Sequence, residues 1–214
     1  MGVQVSEGAG SRVEISHSEV VHEDWVTLRK YTLDYQFRNG EKHRLERLVA
    51  GRGDRAVALL YCRLRNTVVL TGQFRLPALL DGAPGGTLLE APGGLLDGAD
   101  AHEVACREAE EETGYRVSRL RHLLTTYMNP QLSDERLHLF FGDYSPADKV
   151  SDGGGLASEG EENEVLEMSV DVAFVELMRQ PVVDGKTMLL FLMAQRLGLI
   201  TGPGDVIIPK ENGE

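Results

Sequence analysis

The sequence predicts an α/β fold, with a mixed sheet between helices and an additional antiparallel β-sheet at the N-terminus. Three observations indicate this fold. Residues 12–50 alternate between polar and apolar side chains, strand-like apolar runs flank one central helix, and two further helical segments follow the last strand. The predicted order is strands, one helix, more strands and then helices. This order is typical of sandwiches whose helices cover both faces of a sheet.

Composition limits the classes of function. The chain has 214 residues, 42% of them hydrophobic and 26% charged, which is typical of a soluble globular protein with a full core. A net charge of −12 without a basic patch argues against nucleic acid as a partner. The longest apolar run, residues 188–194, is too short to cross a membrane. Cys62 and Cys106 lie in apolar segments, so we expect reduced thiols and a cytoplasmic protein.

The N-terminal extension is expected to form a small sheet. Tyr31, Leu33 and Tyr35 alternate with polar residues, and Asn39-Gly40 is a strong hairpin signal. About three strands with charge on both faces would not be stable alone, so we expect this sheet to pack on another surface or a second subunit. The predicted domains are an N-terminal β extension over residues 1–52, a catalytic domain over 53–202 and a flexible tail over 203–214.

The catalytic domain is predicted to begin with buried strands and to end with helices. Apolar runs predict strands over residues 56–62 and 67–73, and later strands over 117–128, 136–144 and 165–170. A short strand over 87–91 follows a Gly- and Pro-containing loop at 81–86. The segment 145–163 is predicted to be a long loop, and long loops in compact domains are often functional. Helices are predicted from Asp171 to about Gln180 and from Thr187 to Leu199.

The central helix carries the residues on which the functional prediction depends. Asp100 is a suitable N-cap, and the glycine at position 114 can end the helix in the left-handed conformation. Glu108 and Glu112 lie one turn apart on the same side as the apolar residues. Like charges in that position repel, so a cation between them is expected. Their oxygen ligands suit Mg²⁺, which completes its shell with water and phosphate oxygens.

Two segments of the chain resemble the Nudix box, Gx5Ex7REUxEExGU, in which U is apolar. They are Gly93-Gly94 and residues 107–115, which read Arg-Glu-Ala-Glu-Glu-Glu-Thr-Gly-Tyr. The second half matches at every fixed position. The first half departs from the box pattern. If Gly93 is the box glycine, the expected glutamate falls on Ala99. If Gly94 is the box glycine, the box is one residue short and Asp100 takes the place of the glutamate.

The resemblance extends along most of the chain to the Nudix branch of ADP-ribose and nucleoside-diphosphate-sugar pyrophosphatases, and within it to the bacterial GDP-mannose pyrophosphatases. It implies an α/β/α sandwich and a Mg²⁺-dependent hydrolase, with Mn²⁺ as a substitute ion. The substrate would be a nucleoside diphosphate sugar, released as nucleoside monophosphate and sugar 1-phosphate. It also implies a homodimer with crossed N-terminal sheets. ADP-ribose is the alternative substrate, and a non-catalytic nucleotide-sugar-binding module is the alternative class.

The same resemblance implies roles for individual residues. Metal ligands would be the Gly93 carbonyl, Glu108, Glu112 and Glu161, and catalytic groups would be Glu161, Glu111 and Arg107. In such relatives a mobile loop supplies the acid that activates water, so Glu161 is expected to lie far from the helix until substrate draws it inward. The implied substrate-binding residues are Trp25, Glu46, Arg47, Arg75, Gly94, Leu95, Glu135, Gly160 and Lys186, the first three from the other subunit.

Overall fold

The computed structural model describes residues 12–201, so the predicted tail at 203–214 lies outside the described residues. No helix in that part of the chain is long and apolar enough to cross a membrane. The strands are β1 (Val13–Glu23), β2 (Thr27–Gln36), β3 (Lys42–Gly51), β4 (Arg55–Cys62), β5 (Thr67–Phe74), β6 (Thr87–Glu90), β7 (Gly93–Leu95), β8 (Leu120–Tyr127), β9 (Arg136–Asp143) and β10 (Glu164–Ser169). The α-helices are α1 (Leu76–Leu80), α2 (Ala101–Thr113), α3 (Val170–Arg179) and α4 (Gly185–Arg196).

The main sheet is mixed and lies between helices, which confirms the predicted fold class. Its strand order is β10-β5-β4-β9-β8, with β6 on β5 and β7 on β4, and only β4 and β9 run parallel. Alternate residues of β4 face opposite sides because side chains alternate along a strand. Leu60 packs in the apolar cluster with Val104 of α2, whereas Leu59 packs with residues of α3 and α4. The sheet therefore has an apolar core on each face.

Local signals fix α2 as predicted but place other helix ends differently. Asp100 caps α2 by accepting from the backbone N–H of His102 at 2.9 Å, and the residue after the helix, Gly114, has a φ of 77°. Ser169, not Asp171, caps α3, and Asp184 caps α4, so Lys186 lies inside that helix. Helix α1 was not predicted. It has a proline in its first turn, where the missing N–H costs no hydrogen bond.

The N-terminal sheet β1-β2-β3 is an antiparallel meander with one mainly apolar and one mainly charged face. Charge lies on both faces, as predicted, because Arg47 pairs with Tyr31 and Arg29 with Val49 on the mainly apolar one. Directly opposed residues share a face, and Ile15 pairs with Leu33, which pairs with Leu45. Eight side chains of the mainly apolar side form the apolar face: Val13, Ile15, Val20, Tyr31, Leu33, Tyr35, Leu45 and Val49. The opposite face holds the ion pairs Lys30–Glu46 at 2.7 Å and Arg44–Asp34 at 3.1 Å.

The chain forms two compact units. The first ends at Arg52 and also contains Asn129–Glu135, and the second contains Gly53–Met128 and the chain from Arg136 onward. The segment 129–135 joins the first unit because it bonds to β3, where the N–H of Ala50 donates to the carbonyl of Leu132 at 2.7 Å. The sequence did not predict this contact, since the two partners are far apart along the chain.

Candidate active site

Helix α2 presents two carboxylates toward the sheet. Glu112 is 1% exposed, and its carboxylate accepts from Gln73 Nε2 at 2.7 Å and from the backbone N–H of Gly93 at 3.3 Å. Glu108, one turn earlier, lies against Gly94, where a Cβ atom would come within 2.1 Å of Glu108 Oε1. The glycine pair of β7 therefore lets the backbone approach both carboxylates closely. The predicted placement of Glu108 and Glu112 on the apolar side of the helix is confirmed.

Burial disfavours the ionised form of both groups. It raises the pKa of Glu112 from 4.5 to about 8, and the negative charge of Glu161 adds to the shift. Burial likewise raises the pKa of Glu108, although the adjacent guanidinium of Arg107 opposes the increase. Glu112 is thus a carboxyl group that a nearby cation would ionise.

This shift predicts how pH affects the metal-free protein. A folded-state pKa of about 8 means that the native protein keeps a proton which the unfolded chain releases near 4.5, so stability falls as pH rises between these values. We expect Glu112→Gln to remove this loss, which is roughly 1.4 kcal/mol per pH unit in that range. Chemical denaturation of both proteins between pH 5 and 8 with a chelator present measures it. Parallel pH profiles would contradict the shift.

The loop after β9 contacts the end of α2 through its glycines. The N–H groups of Gly154 and Gly155 donate to the carbonyls of Glu112 at 2.8 Å and Glu111 at 3.1 Å. Both glycines have positive φ, 105° and 78°, a conformation that other residues rarely adopt. These bonds satisfy carbonyls that a helix end leaves without partners.

The same loop brings Glu161 close to the helix. Glu161 Oε2 accepts from the backbone N–H of Leu156 at 3.2 Å, and its charge raises the pKa of both Glu108 and Glu112. The expectation that Glu161 reaches the metal-binding carboxylates only when substrate draws it inward stays a prediction. The glycine contacts with the helix end hold the beginning of the loop against α2.

The donor set of this site fits a hard divalent cation. Glu108, Glu112 and Glu161 offer only carboxylate oxygens, which are the ligands that Mg²⁺ and Mn²⁺ prefer. Within residues 12–201, however, no three His, Cys, Asp or Glu side chains converge closely enough to form a complete protein shell. Arg107 holds Glu108 at 3.0 Å, and Gln73 holds Glu112. A bound cation would compete with the Arg107 guanidinium for Glu108, whereas the Glu112 oxygens can keep their N–H donors and still offer lone pairs to it. It would take further oxygens from water or substrate.

The other predicted groups of the box lie beside this cluster. Arg107 pairs with Glu108 and, at 3.7 Å, with Glu111, whose side chain is one-third exposed. The Gly93 carbonyl accepts from Arg55 Nη2 at 3.2 Å, and Leu95 pairs with Arg55 across β7 and β4. The predicted roles of Gly93 in metal binding, of Arg107 and Glu111 in catalysis and of Leu95 in substrate binding stay predictions.

A second charged cluster surrounds Glu90, which is not among the residues predicted from the sequence. Arg75 Nε and Nη2 donate to its two carboxylate oxygens at 2.7 and 2.8 Å, and Lys186 Nζ also donates to it. Glu90 is 2% exposed, and although burial opposes ionisation, the two cations lower its pKa to about 2. An acid inside a short apolar strand was the available signal. Such a group is rarely buried without a cationic partner.

The ammonium group of Lys186, a predicted substrate contact, is already paired with carboxylates of the protein. Its side chain is 13% exposed and also pairs with Asp184, the N-cap of α4, at 2.8 Å. Arg75 is more accessible, with its side chain 38% exposed. Gly160, the remaining candidate on this unit, ends a short 3₁₀ turn with a φ of 76°.

The remaining candidates lie in the N-terminal unit. Trp25 is 68% exposed, with the Arg52 guanidinium 3.9 Å from its ring centroid. Glu46 pairs with Lys30 on the charged face of the sheet, and Arg47 donates to the Glu46 carbonyl at 2.8 Å. Glu135 donates its backbone N–H to Ser133 Oγ at 3.1 Å. Their roles in substrate binding stay predictions.

Two family models match this chain. The model described as the GDP-mannose pyrophosphatase NudK N-terminal domain covers residues 12–49, and that of the NUDIX domain covers residues 52–191. The first match corresponds to the three-stranded sheet. The second includes the main sheet, α2 and the loop of Glu161.

Curated relatives match over both units. A GDP-mannose pyrophosphatase of Pectobacterium atrosepticum is 40% identical over 180 residues, which are 84% of this chain and 92% of that protein. One of Yersinia enterocolitica is 39% identical over 189 residues, or 88% and 98% of the two chains. A crystal structure described as an ADP compounds hydrolase covers 89% of this chain and 96% of its own, with a TM-score of 0.63 at 18% identity. That likeness concerns the fold.

Proposed function

This chain belongs to the Nudix family of hydrolases, and we propose that it cleaves the diphosphate of GDP-mannose to GMP and mannose 1-phosphate. One observation supports this substrate above others: relatives named GDP-mannose pyrophosphatase match the N-terminal sheet as well as the Nudix domain. No comparable observation favours ADP-ribose. The fold likeness to an ADP compounds hydrolase is too distant in sequence to select a base or a sugar.

Nudix hydrolases use a divalent metal ion, and we propose Mg²⁺ here, with Mn²⁺ as a substitute. The carboxylates of Glu108, Glu112 and Glu161 would hold it, together with the proposed Gly93 carbonyl. A bound ion would offset the charge of the diphosphate and of the transition state. The all-oxygen donor set and the raised pKa of Glu112 support this assignment.

The protein groups around the diphosphate would then have distinct tasks. Glu161 would accept a proton from the attacking water, because a carboxylate within reach of the reacting centre can act as a general base. Arg75 would bind the diphosphate through hydrogen bonds and charge. Arg107 would keep Glu108 and Glu111 in position on α2. The mechanism thus requires α2, the Glu161 loop and the end of β5 to act on one substrate.

We also propose that the protein is a cytoplasmic homodimer. Both cysteines are free thiols, as is usual in a reducing compartment. The apolar face supports dimer formation, since Val13, Ile15 and Val20 are each about 40% exposed and no residue of β1–β3 is fully buried. A contiguous apolar surface of this kind usually marks a protein interface. Trp25, Glu46 and Arg47 would then reach the partner's site.

The apolar face predicts which substitutions disrupt the dimer. Ile15→Glu places a charge among apolar side chains and is expected to raise the dimer dissociation constant by about 10-fold or more. His17→Glu, two residues along β1 and paired with Thr32 on the charged face, should leave it nearly unchanged. Sedimentation at several concentrations measures both constants. Equal dissociation constants for the two variants would argue against this interface.

A substrate panel tests the proposed activity. We expect kcat/KM with Mg²⁺ to be highest for GDP-mannose, compared with ADP-ribose and with other nucleoside diphosphate sugars. Preference for ADP-ribose would select the alternative substrate. Tight nucleotide-sugar binding without turnover would indicate a binding module. Glu112→Gln, run in parallel, excludes a contaminating hydrolase.

A further inference from the structure

Gln73 lies between the two charged parts of the site. It is the penultimate residue of β5 and is 4% exposed. Its amide Nε2 donates to Glu112 Oε1 at 2.7 Å, and its amide oxygen accepts from Arg75 Nη2. One buried side chain therefore contacts both the glutamate proposed to hold the metal and the arginine proposed to hold the diphosphate.

The chemistry of these partners fixes the orientation of the amide. A guanidinium can only donate hydrogen bonds, so the amide oxygen of Gln73 must face Arg75 and its NH₂ group must face Glu112. Glutamine satisfies both because it carries one acceptor and one donor group at the end of the same side chain. A reversed amide would place its NH₂ group against the guanidinium and its oxygen against the carboxylate.

Contacts on either side of Gln73 extend this arrangement. Arg75 is held on its other side by Glu90, and the second oxygen of Glu112 accepts from the backbone N–H of Gly93. A polar chain thus runs from Glu90 through Arg75 and Gln73 to Glu112. Three of these four side chains are less than 5% exposed, so water cannot readily replace the contacts.

We infer that Gln73 is a positioning residue that couples metal binding at Glu112 to diphosphate binding at Arg75. The inference rests on the proposed function, because it assigns those two ligands to the site. Hydrogen-bonding partners of a metal ligand orient it, and their loss typically weakens metal affinity or activity about 10- to 100-fold. Here the same partner also orients an arginine, so one substitution should affect two ligands.

The test is Gln73→Met, which keeps the length of the side chain but removes both hydrogen bonds. We expect Mn²⁺ affinity of the substrate-free protein, measured by calorimetry, to fall about 10-fold. The KM for GDP-mannose at saturating metal should also rise about 10-fold, because Arg75 loses a partner. Thr71→Val is the matched control. Thr71 is fully buried on the same face of β5 and makes one hydrogen bond, to the Glu90 carbonyl at 3.3 Å.

The control should change neither constant by more than about twofold, since its hydrogen bond involves neither ligand-binding side chain. A folded Gln73→Met protein with both constants as in the wild type would overturn the inference.

If Gln73→Met does not fold, Gln73→Glu serves instead, because it keeps an acceptor for Arg75. A wild-type KM at saturating metal would then support the role, and a KM raised about 10-fold would refute it.

The two measurements, Mn²⁺ affinity and KM, distinguish a failure of this inference from a failure of the proposed function. If the wild-type protein does not turn over GDP-mannose, the proposed substrate is wrong. A fall in Mn²⁺ affinity for Gln73→Met would still support the contact with Glu112 in that case. If GDP-mannose is turned over and neither constant moves, the function stands and the role of Gln73 is refuted.

Discussion

Glu112→Gln is expected to abolish most activity while leaving the fold intact. The amide keeps the shape of the side chain but cannot supply a negative charge to a metal ion. Metal-ion stabilisation is worth several kcal/mol, so kcat/KM should fall by about two to four orders of magnitude. Stability without metal should not decrease, because the wild-type carboxyl group is buried, with a pKa raised to about 8.

Glu110→Gln is the matched control for this prediction. Glu110 lies on the same helix but pairs with Arg116 at 2.8 Å, away from the cluster of Glu108 and Glu112. Its loss removes only an exposed ion pair, which contributes little. Steady-state kinetics across a Mg²⁺ titration compare the variants. Near-normal turnover of Glu112→Gln at saturating Mg²⁺ would refute the metal assignment.

Glu161→Gln is expected to lower kcat by about two to four orders of magnitude while KM changes little. General-base catalysis typically contributes about 10²–10⁴-fold, and glutamine cannot accept the proton of water. The substrate would still be held by Arg75 and by metal on the two helix glutamates. Because Glu161 is also a proposed metal ligand, kcat must be measured at saturating Mg²⁺.

Glu162→Gln is the neighbouring control, since this residue is exposed and lies on the same loop. It should be milder, and so should Glu159→Gln. If either control abolishes kcat while Glu161→Gln stays active, the base has been misassigned. If all three variants stay active, the loop acids do not activate water, and Glu111 on α2 becomes the next candidate.

The sequence predicted the parts of the site that are close together along the chain. Helical spacing was enough to place Glu108 and Glu112 on the apolar side of α2, and Asp100 and Gly114 marked its ends. The box pattern then connected these positions with a metal. Such local features are readable because helix geometry fixes the neighbours at three and four residues.

The contacts that the sequence missed join distant segments. Glu90 and Gln73 meet Arg75, Lys186 and Glu112 only after the sheet and α4 have assembled, and no periodicity reports such pairing. The two faces of the N-terminal sheet depend on strand register, including shifts in β1 near residues 16 and 21. A one-residue change of register moves side chains to the opposite face. The placement of Glu161 similarly depends on the glycines that contact the end of α2.

Product identification tests the proposed reaction most directly. GDP-mannose is incubated with the protein and Mg²⁺, and the products are separated by chromatography against standards. We expect equal amounts of GMP and mannose 1-phosphate, with no product when a chelator replaces Mg²⁺ or when Glu112→Gln replaces the wild-type protein. GDP and free mannose, or unchanged GDP-mannose at saturating Mg²⁺, would contradict metal-dependent cleavage of the diphosphate.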